Sequence, residues 1–108
     1  MSIDLGSEWM KVALVSPGVP MEIVLNSESQ RKTPLTLSFR EGERQVGDSA
    51  VNIGVRFPEK SFSHFLHLIG KQSNSSSVQL FLKRFPYHKL HQTGMMTSAV
   101  TPTLTLTQ

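Results

Sequence analysis

Cysteine is absent from this chain of 108 residues. That excludes disulfides and thiolate chemistry, although it names no compartment. No run approaches the roughly 18 apolar residues that a membrane-crossing helix needs, so no membrane partner is expected. Charge is sparse: 11 Lys and Arg against 8 Asp and Glu leave a net +3. Arg31-Lys32 and Lys83-Arg84 are the adjacent basic pairs, and no aromatic residues interleave with a basic stripe. We read both pairs as solvated loop and strand-end charges, and no nucleic-acid partner is expected. What remains is 38% hydrophobic and 18% charged, a globular composition with length for one small domain.

The first fifteen residues carry the most chemistry. Ile3 to Leu5 reads as a short apolar strand holding one acid, Asp4. Gly6-Ser7-Glu8 is a turn, and Met10 to Val15 is almost continuously apolar, as buried strands are. An acid at a strand end beside a Gly/Ser turn is one way to build a phosphate site. Glycine lets the backbone approach, successive N–H groups form an anion nest, and the carboxylate holds a magnesium-bound water. An ordinary hairpin with a polar turn has the same short pattern.

Further along, Ser16-Pro17-Gly18 signals a turn and Met21 to Leu25 a third strand. Asn26 to Pro34 is expected to be a polar loop. Leu35 to Phe39 alternates with period two, Glu41-Gly42 turns, and Arg44 to Val46 returns, extending an antiparallel meander. Asp48 is the expected N-cap of a helix over Ser49 to Val55. Ser61 is expected to cap a second helix, Phe62 to Ile69, with Gly70 at its end and Phe62, Phe65, Leu66 and Ile69 on one face. Ser73 to Ser77 reads as a flexible loop, and Val78 to Phe85 as a last strand.

Taken in order, Ile3-Asp4-Leu5-Gly6, Val24-Leu25-Asn26, Arg31-Lys32-Thr33-Pro34 and Val46-Gly47-Asp48-Ser49-Ala50 resemble the start of the ATPase domain of the heat-shock chaperone superfamily. Pro20 to Asn26, Leu68-Ile69-Gly70-Lys71-Gln72 and Arg84-Phe85-Pro86 are similar to its large, hypoxia-responsive endoplasmic-reticulum branch. The resemblance covers about residues 2 to 90. It implies an α/β fold, a partial actin-like ATPase (ribonuclease H-like) lobe with an antiparallel β-meander and two short helices. Residues 1–90 would be that first lobe and 91–108 a divergent tail.

The resemblance implies ATP or ADP with magnesium as ligand. Asp4 would sit near magnesium through water, and Gly6, Ser7, Glu8 and Trp9 would form the phosphate turn. Many members have two threonines where Ser7 and Glu8 stand, so Glu8 is expected to act through its backbone N–H. Active members carry a lysine two residues before the Leu-Ile-Gly segment; here Leu66 holds that place, and leucine cannot orient water. Lys71 lies beyond the glycine and does not inherit the role. No catalytic residue is therefore expected. The implied function is ATP-dependent chaperoning in the endoplasmic reticulum, or nucleotide exchange for a partner chaperone, on unfolded client proteins. The alternative is a non-catalytic fragment that binds a partner or has no independent function.

His64 and His67, and again His88 and His91, are three apart, as in zinc pairs. No cysteine or carboxylate is spaced to complete either pair, so all four read as helix-surface and loop histidines. Asn74-Ser75-Ser76 is an N-glycosylation acceptor. No secretory leader precedes the first strand, so this chain is expected in the cytosol if it is the full product, although the resemblance implies the lumen. The threonine-rich, uncharged stretch after His91 does not resemble the family. It is expected to be mostly disordered, with Thr103 to Thr107 able to add to a sheet edge.

Overall fold

The computed structural model describes residues 1–92 and 100–102, with side chains for 1–90. The chain divides into two compact units, Met1–His64 and Phe65–Gln108.

The first unit is built on two antiparallel sheets. β1 (Ser2–Leu5) pairs with β2 (Trp9–Ser16), placing Leu5 opposite Met10. A two-residue Pro17-Gly18 turn sets Ser16 against Val19, so β3 spans Val19–Ile23 and starts two residues earlier than expected. β4 (Thr33–Pro34) adds to the other part of β2, with Trp9 opposite Pro34 and Met10 opposite Thr33. The loop expected to run through Pro34 thus ends in a strand. The meander is β1-β2-β3, and the strands that follow make a separate sheet, in the order β6-β5-β7. Its members are β5 (Thr36–Arg40), β6 (Glu43–Val46) and β7 (Ser61–Ser63), with the expected turn at Glu41-Gly42.

β2 is not buried. Leu14 and Val15 are exposed, and so are Ile3, Leu5, Val19, Met21 and Ile23 on its neighbours. Continuous apolar sequence supplied the capacity for burial on both faces, but among the described residues Met10, Val12 and Ala13 reach only half burial. In β5 the period-two alternation holds with its phase reversed. Thr36 and Ser38 are buried, while Leu37 and Phe39 are half-buried. The reason lies in close packing. α1 (Asp48–Arg56) puts Ala50 and Gly54 against Ser61 of β7, whose hydroxyl donates to the Ala50 carbonyl at 3.0 Å. A Cβ added to Gly54 would lie 2.8 Å from Ser61 Oγ. Small side chains let the helix approach this closely.

Two helix expectations are corrected here. Gly47, not Asp48, is the N-cap of α1, with φ +68°, and Asp48 is the first helical residue. No helix runs from Phe62 to Ile69. Ser61–Ser63 is strand β7, because the free edge of β5 offers ladder hydrogen bonds there, with Leu37 opposite Phe62. His64, at φ +56°, then breaks the extended path, and Phe65–His67 is a single 3₁₀ turn.

In the second unit, α2 (Ser76–Arg84) replaces the strand expected from Val78 to Phe85. Ser75 caps it by accepting from the Val78 N–H, so the expected loop ends there, and Ser76 and Ser77 begin the helix. Val78, Phe81, Leu82 and Phe85 follow the i, i+3, i+4, i+7 spacing and pack with Leu68 and Leu90. His88, expected at the surface, is buried and stacked 5.9 Å from the Phe81 ring. β8 (Leu90–Gln92) pairs with β9 (Val100–Pro102) inside the expected tail. The remainder of that tail, including Thr103 to Thr107, lies outside the described residues.

Gly→Ala in a helix interior ordinarily stabilises by about 0.5–1 kcal/mol. At Gly54 the sign should reverse: Gly54→Ala should cost on the order of 1–3 kcal/mol in urea unfolding, the range for overpacking a tight contact. A more stable variant would refute the close helix–strand packing. Ser38 Oγ is fully buried and finds no hydrogen-bond partner among the described residues. Ser38→Ala should therefore raise stability, by about 1 kcal/mol, read from the same unfolding midpoint.

Candidate functional site: the Gly6–Trp9 turn

The β1–β2 hairpin places the candidate residues within one short stretch. Gly6 N–H donates to the Trp9 carbonyl at 3.0 Å and closes the turn. A Cβ at Gly6 would stand 3.0 Å from that same oxygen, so the turn is tight enough to exclude a side chain there. Ser7 and Glu8 are exposed at its tip. Asp4 lies two residues before it on β1, opposite Lys11 in the register. Its carboxylate is exposed and forms no ion pair among the described residues.

A second layer fixes the turn from β4. Leu35 N–H donates to the Glu8 carbonyl at 2.8 Å. The loop leading into β4 is organised by Asn26. Its Oδ1 accepts from the Glu28 and Gln30 N–H groups at 3.0 and 2.8 Å, and its Nδ2 donates to Thr33 Oγ1 at 3.1 Å. One amide side chain thereby ties the loop to the strand beside Trp9. Lys32 leaves this loop with its ammonium 4.0 Å from the centre of the Trp9 ring.

Behind the turn is a mostly apolar cleft of about 310 Å³. Glu8 and Trp9 line it together with Pro34, Thr36, Asp48 and His64. Asp4, Gly6 and Ser7 do not line this cleft, so the five sequence-derived residues share the hairpin but not one cavity. Sequence reasoning missed Lys32, which it set aside as a solvated loop charge, and Asp48, which it treated as a cap alone. The signal for Lys32 was the two-residue strand β4 that follows it, too short to register as periodicity.

His64 and His67 do not share a helix, and the side chain of His91 lies outside the described residues. His64 contributes to the cleft, His67 is exposed at the end of the 3₁₀ turn, and His88 is buried among aromatic rings. Among the described residues no group of three His, Asp or Glu converges as metal ligands. Asn74 is exposed in the turn before α2, with Ser75 and Ser76 of its acceptor motif at the helix start.

Comparison with known proteins decides the family. Hsp70 protein, as a family, matches residues 1–103. The chain belongs to the Hsp70 family. It is 55% identical over 91 residues to Hypoxia up-regulated protein 1 of Rattus norvegicus, covering 84% of this chain and 9% of that protein. The Homo sapiens protein of that name is 54% identical over 90 residues, covering 83% and 9%. The Xenopus tropicalis protein is 52% identical over 90 residues, covering 83% and 14%. The chain thus spans about a tenth of the length of these relatives. Within this Hsp70-family chain the antiparallel sheets and two helices form an α/β fold consistent with a partial actin-like ATPase lobe.

Asn26→Ala removes the tie between loop and strand. It should destabilise by about 1–2 kcal/mol, because two N–H groups and the Thr33 hydroxyl lose a partner. Trp9 emission should shift to the red as β4 loosens. Unchanged emission would separate Asn26 from the packing around Trp9.

Proposed function

We propose that this chain carries the first phosphate-binding element of an Hsp70-type, ATP-dependent chaperone that assists folding in the endoplasmic reticulum. The observation behind it is the Gly6 turn, a backbone cradle that a Cβ would crowd at 3.0 Å from the Trp9 carbonyl. Such a turn suits phosphate: Gly6 closes it on the Trp9 carbonyl, and the N–H groups of Ser7, Glu8 and Trp9 would act as donors where no side chain intervenes. Asp4, exposed and without an ion pair among the described residues, would hold a magnesium-bound water. Magnesium supplies charge neutralisation between phosphate oxygens when bound. The chain's own part is binding and orientation. Leu66 at the family's lysine position has no hydrogen-bonding group, which argues for slow or exchange-type use of nucleotide. Unfolded client proteins and a partner chaperone would be engaged by the whole protein. Asn74 would accept a glycan in the lumen.

A second reading has its own observation. Ile3, Leu5, Leu14, Val15, Val19, Met21 and Ile23 leave the first sheet with an exposed apolar surface. Surfaces of this kind belong to interfaces or to aggregation-prone chains. On this reading the chain is a non-catalytic interaction module.

Trp9 is the chain's one tryptophan and adjoins the turn. Its emission should change saturably with Mg-ADP, and Gly6→Val should abolish the change. A spectrum insensitive to nucleotide at millimolar concentration would sink the phosphate reading and favour the interaction module.

A further inference from the structure

The turn itself brings a poor charge balance to an anionic ligand. Glu8 places a carboxylate at its tip, and Asp48 places a second in the adjoining cleft. With Asp4 these make three carboxylates around the turn, set against its backbone N–H groups and a bound magnesium. Among the described residues a cation beside the turn could change this. Lys32 holds its ammonium 4.0 Å from the centre of the Trp9 ring, and Trp9 is the residue whose carbonyl closes the turn. Lys32 is exposed, and it forms no ion pair among the described residues, including none with Glu8. A lysine resting on an aromatic face is held only loosely, since an exposed cation–π contact contributes little. It keeps three donors free to turn toward a phosphate oxygen. Its backbone is less free, because Asn26 hydrogen-bonds to Thr33 next in the chain and Thr33 pairs with Met10. The stem is anchored and the head is available.

We infer that Lys32 is a phosphate-anchoring residue of this site, moving from the Trp9 ring to the phosphate when nucleotide binds and offsetting Glu8. This rests on the nucleotide reading above and extends it by assigning the cation that the turn lacks. A lysine acting as a mobile point charge fits the task better than a fixed fork, because the approach of the ligand sets the geometry.

The test is calorimetric titration of the full chain, so that the readout does not depend on Trp9 fluorescence. Wild type, Lys32→Gln and Lys32→Arg are each titrated with Mg-ADP and, separately, with adenosine. Lys32→Gln should weaken Mg-ADP binding roughly tenfold, as expected for loss of one charge-assisted contact. It should leave adenosine unchanged, and Lys32→Arg should restore most of the affinity. Equal Mg-ADP affinity in wild type and Lys32→Gln overturns the assignment while the nucleotide reading stands. An equal loss for Mg-ADP and adenosine also overturns it, since that marks a packing role on Trp9. Absence of binding by all three chains overturns both readings together. Urea midpoints within error of wild type establish that the variants are folded, as expected for an exposed side chain.

Discussion

The candidate site depends on the pairing of β4 with β2. That strand is only two residues long, yet it determines where Trp9, Glu8 and Lys32 stand relative to one another. Without it the Gly6 turn would be the tip of a hairpin held from one side. With it, the Leu35 N–H fixes the Glu8 carbonyl, and the turn gains a second support. Asn26 makes such a short strand possible. It satisfies loop N–H groups and the Thr33 hydroxyl at once, and so removes much of the freedom that two ladder residues alone could not offset.

The second sheet solves a different problem. Its helix is short and buries only Ala50, so hydrophobic area alone cannot hold it. Close approach through Ala50, Gly54 and Ser61 replaces area with contact, and the Ser61 hydroxyl joins strand to helix through the Ala50 carbonyl. That closeness accounts for the small, partly polar interior of β5. It also carries a cost at Ser38, whose hydroxyl is enclosed without a partner among the described residues. The second unit relies instead on ordinary apolar spacing along α2, whose Phe81 ring stacks on His88.

Local signals in the sequence were reliable where the structure is local. The hairpin turns at Gly6-Ser7-Glu8, Pro17-Gly18 and Glu41-Gly42 were legible because turn chemistry is decided by the residues in the turn. The strands failed to follow where partners decide. Ser61–Ser63 looked like a helix start, but an open edge on β5 recruited it as a strand. Val78 to Phe85 looked alternating, but Ser75 and the spacing of Val78, Phe81, Leu82 and Phe85 serve a helix equally well, and packing on Leu68 selects it. Family resemblance located the turn residues together. It could not show Lys32 on the Trp9 ring, because that contact depends on where β4 docks.

The apolar side chains that the β1–β3 sheet exposes among the described residues have a consequence for how a cell would treat this chain. Its strands present extended backbone with Ile3, Leu5, Val15, Val19 and Met21 in the open. Extended apolar segments with accessible edges are what holdases capture, and capture favours whichever state displays them. In isolation, this Hsp70-family sheet therefore offers the surface chemistry that holdases capture.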